Sequence, residues 1–202
     1  MFARTGILLV VSGPSGSGKT TLCRRLADAG EARYSTSCTT RAPRSGEVDG
    51  TDYHFLSPAE FARHQQAGEF LEHAVVHGNC YGSFQSEVVS YLNAGVDVVM
   101  DIDIQGARQV RNCADPAIRR AAVELFVMPP SEAELRARLS GRGTESAESI
   151  ALRMANALDE MRHWTEYAYL LLSSTREADY AQLLALVTAE RLKVSRISPP
   201  AC

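Results

Sequence analysis

Lysine is almost absent from this chain. Lys19 and Lys193 are the only two, and arginine supplies the rest of the positive charge. With a net charge of −3 there is no broad basic field of the kind that nucleic-acid binding needs. Neither lysine sits in an N-K-x-D motif, which removes a GTPase switch from consideration. Cysteine is sparse as well: five residues, odd in number, none in C-x-x-C spacing. That argues against a disulfide framework or a zinc site and fits a reducing, cytoplasmic setting. No apolar run reaches the roughly 20 residues of a membrane span. The N-terminal one passes straight into a glycine-rich loop, so it reads as a core strand and not a signal peptide. Glu72, His73 and His77 lie close together, but their order is not H-E-x-x-H and the segment does not look helical, so the histidines read as solvent-facing. There is no internal repeat and no low-complexity segment. What remains, 202 residues with 45% hydrophobic and 22% charged, suits one globular domain with a sizeable core.

The most informative stretch is Gly13-Pro14-Ser15-Gly16-Ser17-Gly18-Lys19-Thr20, followed by Thr21. It fits G-x-x-x-x-G-K-[ST], the phosphate-binding loop of nucleoside triphosphate enzymes. Its context agrees: Ile7 to Val11 is an apolar, β-branched run, and Thr20 to Leu26 has Leu22 and Leu26 on one helical face. Glycines let successive N–H groups curl around phosphate oxygens, and the helix N-terminus adds its positive dipole end. Lys19 is placed to reach the β- and γ-phosphates, and the Thr20 hydroxyl to bind Mg²⁺. The motif names a triphosphate donor and leaves the acceptor open.

Beyond the loop, hydroxyls crowd Ser35 to Thr40, with Arg41 and Arg44 behind them. Guanidinium forks suit phosphate oxygens, and Tyr53 offers a hydroxyl to the same group. Asp49-Gly50 carries a hairpin-turn signal, so a small β-rich insertion is expected here. Ser57-Pro58-Ala59-Glu60 is a capping box with proline at the first helical position, predicting a helix towards Gln66. Glu69 to Val76 reads as a strand, Val88 to Leu92 as a helix, and Val96 to Met100 as a buried strand ending in Asp101-Ile102-Asp103. Carboxylates at that end of a parallel strand lie where open α/β sheets bind ligands. Asp101 is a candidate for Mg²⁺ through water, while Asp103 either faces an acceptor or caps the helix Gln105 to Arg111. Val123 to Met128 and Tyr169 to Leu172 are further strands. Ser131 opens a helix carrying Arg138, and from Glu145 a long helix places Ile150, Met154, Leu158 and Met161 on one stripe with Arg153 off it. Arg138, Arg142 and Arg153 thus flank a glycine-hinged hairpin, suited to a lid over a transferring phosphate. A last helix spans Glu177 to Leu192, and the tail from Ser195 to Cys202 is expected to fray.

Alternating strands and helices predict an α/β fold with a parallel sheet flanked by helices on both faces. In full, the chain resembles guanylate kinase, a P-loop kinase family. The resemblance rests on the phosphate loop, on Thr39-Thr40-Arg41-Ala42-Pro43-Arg44-Ser45-Gly46-Glu47 running to Asp52-Tyr53-His54-Phe55, on Gly78-Asn79-Cys80-Tyr81-Gly82-Ser83, on Asp101-Ile102-Asp103-Ile104-Gln105-Gly106 and on Arg142-Gly143-Thr144-Glu145. It implies a single domain over 1–202: a core of 1–34, 85–128 and 161–202, a GMP-binding insertion over 35–84 and a lid over 129–160. It implies Mg²⁺-dependent phosphoryl transfer from ATP to GMP, with dGMP use and monomer or homo-oligomer left open. Arg41, Arg44, Tyr53 and Tyr81 would hold the GMP phosphate, with Glu47 in the same motif. Ser37, Glu72, Ser83 and Asp103 would surround the guanine, near Asp101. Lys19, Arg44, Arg142 and Arg153 would stabilise the developing charge, supported by Arg138.

The chemistry of guanine supports the carboxylates. Its N1–H and N2–H₂ donors lie side by side and one carboxylate accepts both, whereas the unprotonated N1 of adenine would leave that carboxylate unpaired. One departure from the family stands out. Ala168-Tyr169 and Ser173-Ser174 flank the last strand where relatives usually carry Asp-Tyr and Asn-Asp, so weaker selection of ATP over other triphosphates is expected. Two rival readings are a binding module that keeps the fold without turnover and a related kinase with another acceptor.

Overall fold

A computed structural model describes residues 3–76, 78–140 and 147–198. In chain order the elements are β1 (Ala3–Arg4), β2 (Leu8–Ser12), α1 (Lys19–Asp28), β3 (Arg33–Tyr34), β4 (Cys38–Thr39), β5 (His54–Phe55), α2 (Pro58–Gln66), β6 (Phe70–Val76), β7 (Asn79–Phe84) and α3 (Gln85–Asn93). There follow β8 (Val98–Asp101), α4 (Ile104–Arg111), α5 (Pro116–Ala121), β9 (Ala122–Met128), α6 (Glu132–Ser140), α7 (Ala147–Met161), β10 (Tyr169–Leu172), α8 (Arg176–Arg191) and β11 (Ile197–Ser198). No described helix is long and apolar enough to cross a membrane.

Five parallel strands in the order β10-β9-β2-β8-β3 form the main sheet. Its central strand β2 is buried at every residue, because helices cover both faces. Alternate side chains divide between two cores. Leu9 and Val11 pack with Leu22 and Leu26 of α1 and Leu183 and Val187 of α8. Leu8 and Val10 pack with Val88 and Leu92 of α3 and Val110 of α4. Register then fixes the site: Val11 lies opposite Asp101, so the phosphate loop after β2 and the carboxylates after β8 emerge side by side.

The fifth strand, β3, has no counterpart in the sequence reading. It is two residues long and carries Arg33, so it gives no hydrophobic pattern. Nor was α5 anticipated, although Asp115 caps it and Pro116 opens it.

A second, mixed sheet of order β5-β4-β7-β6 lies within residues 38–84. The hairpin expected at Asp49-Gly50 is not formed. Gly50 does turn the chain, at φ 74°, but β4 and β5 run parallel. Asp49 is spent locally, its carboxylate accepting from the Phe55 N–H at 2.9 Å. The antiparallel pairs are instead β6 with β7 and β7 with β4. Ser57 and Glu60 form the capping box of α2.

The tail also departs from expectation as far as Ser198. β11 pairs with β1, and Arg196 is buried, donating to the Arg120 carbonyl at 2.8 Å and to Glu190 at 2.9 Å.

Candidate active site

The loop after β2 is shaped by two glycines in particular. Gly13 has φ 144°, and a Cβ there would stand 2.3 Å from the Val127 carbonyl oxygen. Gly18 is the N-cap of α1 at φ 98°, a left-handed conformation that frees the first N–H groups of the helix for an anion. Lys19 lies back over the loop, its Nζ donating to the Pro14 carbonyl at 3.1 Å. The Ser17 hydroxyl is buried with no partner among the described residues. Thr20, the first-turn hydroxyl of α1, donates to the Asp101 carboxylate at the end of β8. Hard oxygen donors of this kind, few in number and beside a phosphate loop, suit Mg²⁺, which keeps several waters and shares substrate phosphates. Among the described residues no cluster of three His, Cys, Asp or Glu side chains forms a full protein cage for a metal.

Across the cleft, the mixed sheet presents two chemistries. At its β4–β5 side, Arg41 is half-buried, 5.4 Å from the Tyr53 ring, and Tyr53 meets Tyr81 edge to face at 5.9 Å. Glu47 does not face the cleft directly. It accepts from Arg41 at 2.8 and 3.0 Å and from the Arg44 N–H at 2.7 Å, and those contacts hold its carboxyl below the usual carboxylate range. An anion cannot itself hold phosphate, so Glu47 acts on the two arginines. The Arg44 side chain is exposed.

At the β6–β7 side, Glu72 is 4% exposed. Burial, above all, pushes its carboxyl up to about 7; the Ser83 hydroxyl, donating at 2.8 Å, opposes the shift and the nearby Asp103 charge adds to it. Ser37 and Ser83 hydroxyls lie 3.2 Å apart, which continues the polar wall. Asp103 caps α4 by accepting from the Gly106 N–H at 2.9 Å, and it also lines the cleft.

The lid arginines are arranged unequally. On α7, Arg153 donates to the Ser15 hydroxyl of the phosphate loop at 3.1 Å. On α6, Arg138 pairs with Glu134 at 3.0 Å and approaches the Ser173 hydroxyl at 3.5 Å. Arg142 and the Gly143-Thr144-Glu145 stretch lie outside the described residues. Leu135 and Leu139 of α6 pack with Met154 and Ala157 of α7, and a Cβ on Gly16 would touch both leucines. Helices α6 and α7 therefore rest on the phosphate loop itself.

Two hollows result. One of about 320 Å³ is lined by Gly13, Ser15 and Lys19 together with Ser37, Tyr53, Glu72, Tyr81, Asp101 and Asp103. The structure thus brings these nine sequence-predicted residues to one hollow, while Arg41, Arg44, Glu47, Ser83 and Arg153 do not line it. A second, of about 630 Å³, lies behind the loop, between Gly16, Gly18 and Thr21 on one side and Arg138, Ser173 and Ser174 on the other. Sequence reasoning missed two residues here. Asp179, buried on α8, accepts from the Ser173 hydroxyl at 2.9 Å and the Ser174 N–H at 2.7 Å. Glu160 of α7 lines the acceptor cleft. Neither belongs to a spaced motif; the turn into α8 places Asp179, and the packing of α7 places Glu160.

Comparison with known proteins gives a consistent result. A family model described as guanylate kinase matches residues 5–190. The guanylate kinase of Cereibacter sphaeroides is 48% identical over 195 residues, 96% of this chain and 91% of that one. That of Ruegeria pomeroyi is 45% identical, across 100% of this chain and 92% of its own. Among solved structures, the crystal structure of guanylate kinase from Anaplasma phagocytophilum superposes with a TM-score of 0.81 at 32% identity, covering 98% of this chain and 92% of that one.

Proposed function

The chain belongs to the guanylate kinase family and transfers a phosphoryl group from ATP to GMP; from that premise we propose how its residues divide the work. The observation that carries the assignment is the shared cleft, in which a phosphate loop and a buried carboxylate wall face each other. ATP lays its phosphates along Gly13 to Thr21. GMP sets its phosphate against Arg41, Arg44, Tyr53 and Tyr81, and its base against Ser37, Glu72, Ser83 and Asp103. A GMP phosphate oxygen attacks the γ-phosphorus in line; the new P–O bond forms as the bond to the β-bridging oxygen breaks, releasing ADP. The attacking oxygen is already anionic, so the protein supplies no nucleophile and moves no proton. Its contribution is alignment and charge. Lys19 leaves the Pro14 carbonyl to meet the β- and γ-phosphates, while Arg153 and Arg142 come to the transferring group, supported by Arg138. Thr20 and Asp101 are the residues that would hold Mg²⁺, which when bound neutralises part of the triphosphate charge.

Insertion 35–84 and lid 129–160 close over the core to exclude water, which would otherwise consume ATP. The cytosol is the setting that a reducing environment for Cys23, Cys38, Cys80 and Cys113 suits. For the donor base, Ser173 is committed to Asp179 and is too short to pair with adenine as an amide would. Selection among donors is therefore relaxed: at fixed GMP, the KM values for ATP, GTP, CTP and UTP should fall within about tenfold of one another, and strong ATP selectivity would contradict this. The central test is ADP formation from ATP and Mg²⁺ with GMP, AMP, CMP or UMP as acceptor. Turnover with GMP alone supports the carboxylate account of base choice. Binding of GMP without turnover would favour a binding module.

A further inference from the structure

Gly106 lies in the first turns of α4, buried, with ordinary helical geometry, so nothing in its own backbone requires glycine. Its surroundings do. A Cβ at this position would stand 2.5 Å from Glu72 Oε2 and 3.2 Å from Glu72 Cδ, with the Ile102 Cδ1 methyl next at 3.3 Å. The Gly106 N–H meanwhile donates to Asp103 Oδ1 at 2.9 Å. Glu72 and Asp103 therefore both rest on one residue, Asp103 through its N–H and Glu72 through its missing side chain. Strand β6 cannot easily retreat. Three residues along α4, Gln109 accepts from the His73 N–H at 3.0 Å and donates to the His73 carbonyl at 2.6 Å, pinning the main chain beside Glu72. A methyl at 106 must then displace the carboxylate, which Ser83 holds from the other side at 2.8 Å.

We propose that Gly106 is a positioning residue for guanine recognition, its bare Cα fixing where the Glu72 carboxylate stands while its N–H orients Asp103, with Gln109 keeping β6 in place. The proposal rests on the reading of Glu72 as a guanine acceptor, and its test separates the two. Alanine favours helix over glycine, which offsets part of the strain of displacing the carboxylate, so Gly106→Ala should remain folded at the assay temperature with a modestly lowered melting midpoint. Its KM for GMP should rise about tenfold, with the KM for ATP within twofold and kcat at saturating GMP changed less than KM. A purely structural role would move both substrates together. Titration calorimetry with GMP completes the cycle: in a Glu72→Ala background, adding Gly106→Ala should leave GMP affinity unchanged, because the displaced group is gone. If Gly106→Ala binds GMP as the parent does while Glu72→Ala binds it weakly, positioning by Gly106 is wrong and the guanine site stands. If Glu72→Ala binds GMP as the parent does, both fall. Should Gly106→Ala not fold, Gln109→Met decides the matter: a selective rise in the GMP KM supports the α4 platform, and an unchanged value overturns it.

Discussion

Glu72 has two protonation states within reach of neutral pH, and the difference is testable at a single residue. Burial holds its carboxyl near 7, well above an exposed glutamate. Between the unfolded value and about 7 the native state binds more protons than the unfolded one, so this residue's contribution to stability is fully present at low pH and is lost as pH rises through 7. Glu72→Gln should therefore gain stability relative to the parent above pH 7 and lose that advantage towards pH 4, read from denaturation midpoints across pH. Binding has the opposite slope. Guanine needs the ionised carboxylate to accept N1–H and N2–H₂, so the KM for GMP should fall as pH rises through 7. Glu72→Gln should raise that KM at least tenfold and lose the slope that this group causes, which a pH series on both forms would reveal. Serine at 173 and 174 was legible as a departure, but that Asp179 occupies both was not, because six residues of turn and helix separate them in sequence.

At the scale of elements, α6 and α7 are joined directly to the phosphate loop. Arg153 reaches Ser15 from α7, and α6 buries Leu135 and Leu139 against Gly16. The arginine should matter mainly to the transition state, where charge develops between donor and acceptor. Arg153→Ala is expected to lower kcat by roughly 10²–10³ with little change in the KM for GMP, measured in the steady state. A loss confined to KM would place Arg153 in ground-state binding instead. The stripe of Met154, Leu158 and Met161 was readable from spacing. The parallel pairing of β4 with β5 was not, since Asp49-Gly50 carries a hairpin signal and the bonds that set the pairing, from the His54 N–H to the Ser37 carbonyl and from the Leu56 N–H to the Thr39 carbonyl, join residues well apart in sequence.

Across the whole molecule, the end of the sheet away from the phosphate loop is tied by a buried carboxylate. Asp97 accepts from Arg4 at 2.6 Å, from the Ile7 N–H at 2.8 Å and from Arg191 at 2.7 Å, and Arg191 reaches on to Glu31 at 2.8 Å. Residues far apart in sequence meet at this one side chain, beside the start of β8. Asp97→Ala takes one acceptor from each of two cations and from an N–H, while Arg191 keeps Glu31 and Arg4 keeps the Gly95 carbonyl, a loss of about 3 kcal/mol, or roughly 6–12 °C in the melting midpoint of a chain this size. At temperatures where the variant remains folded, kcat and both KM values should hold, because the site lies at the opposite ends of the strands. A variant that melts normally but turns over slowly would contradict that separation.

Local sequence alone determined the phosphate loop, the strand before it and the helix after it, because glycine spacing, apolar runs and caps act over a few residues and do not depend on what packs against them. It also supplied, through the order of residues in the motifs, the arginine and carboxylate sets proposed for the two substrates. Tertiary structure decided the rest. A fifth strand two residues long, the burial that lifts Glu72 and the space that Gly106 leaves for a carboxylate all arise between segments distant in the chain. Burial and contact are properties of the packed whole, and no local pattern encodes them.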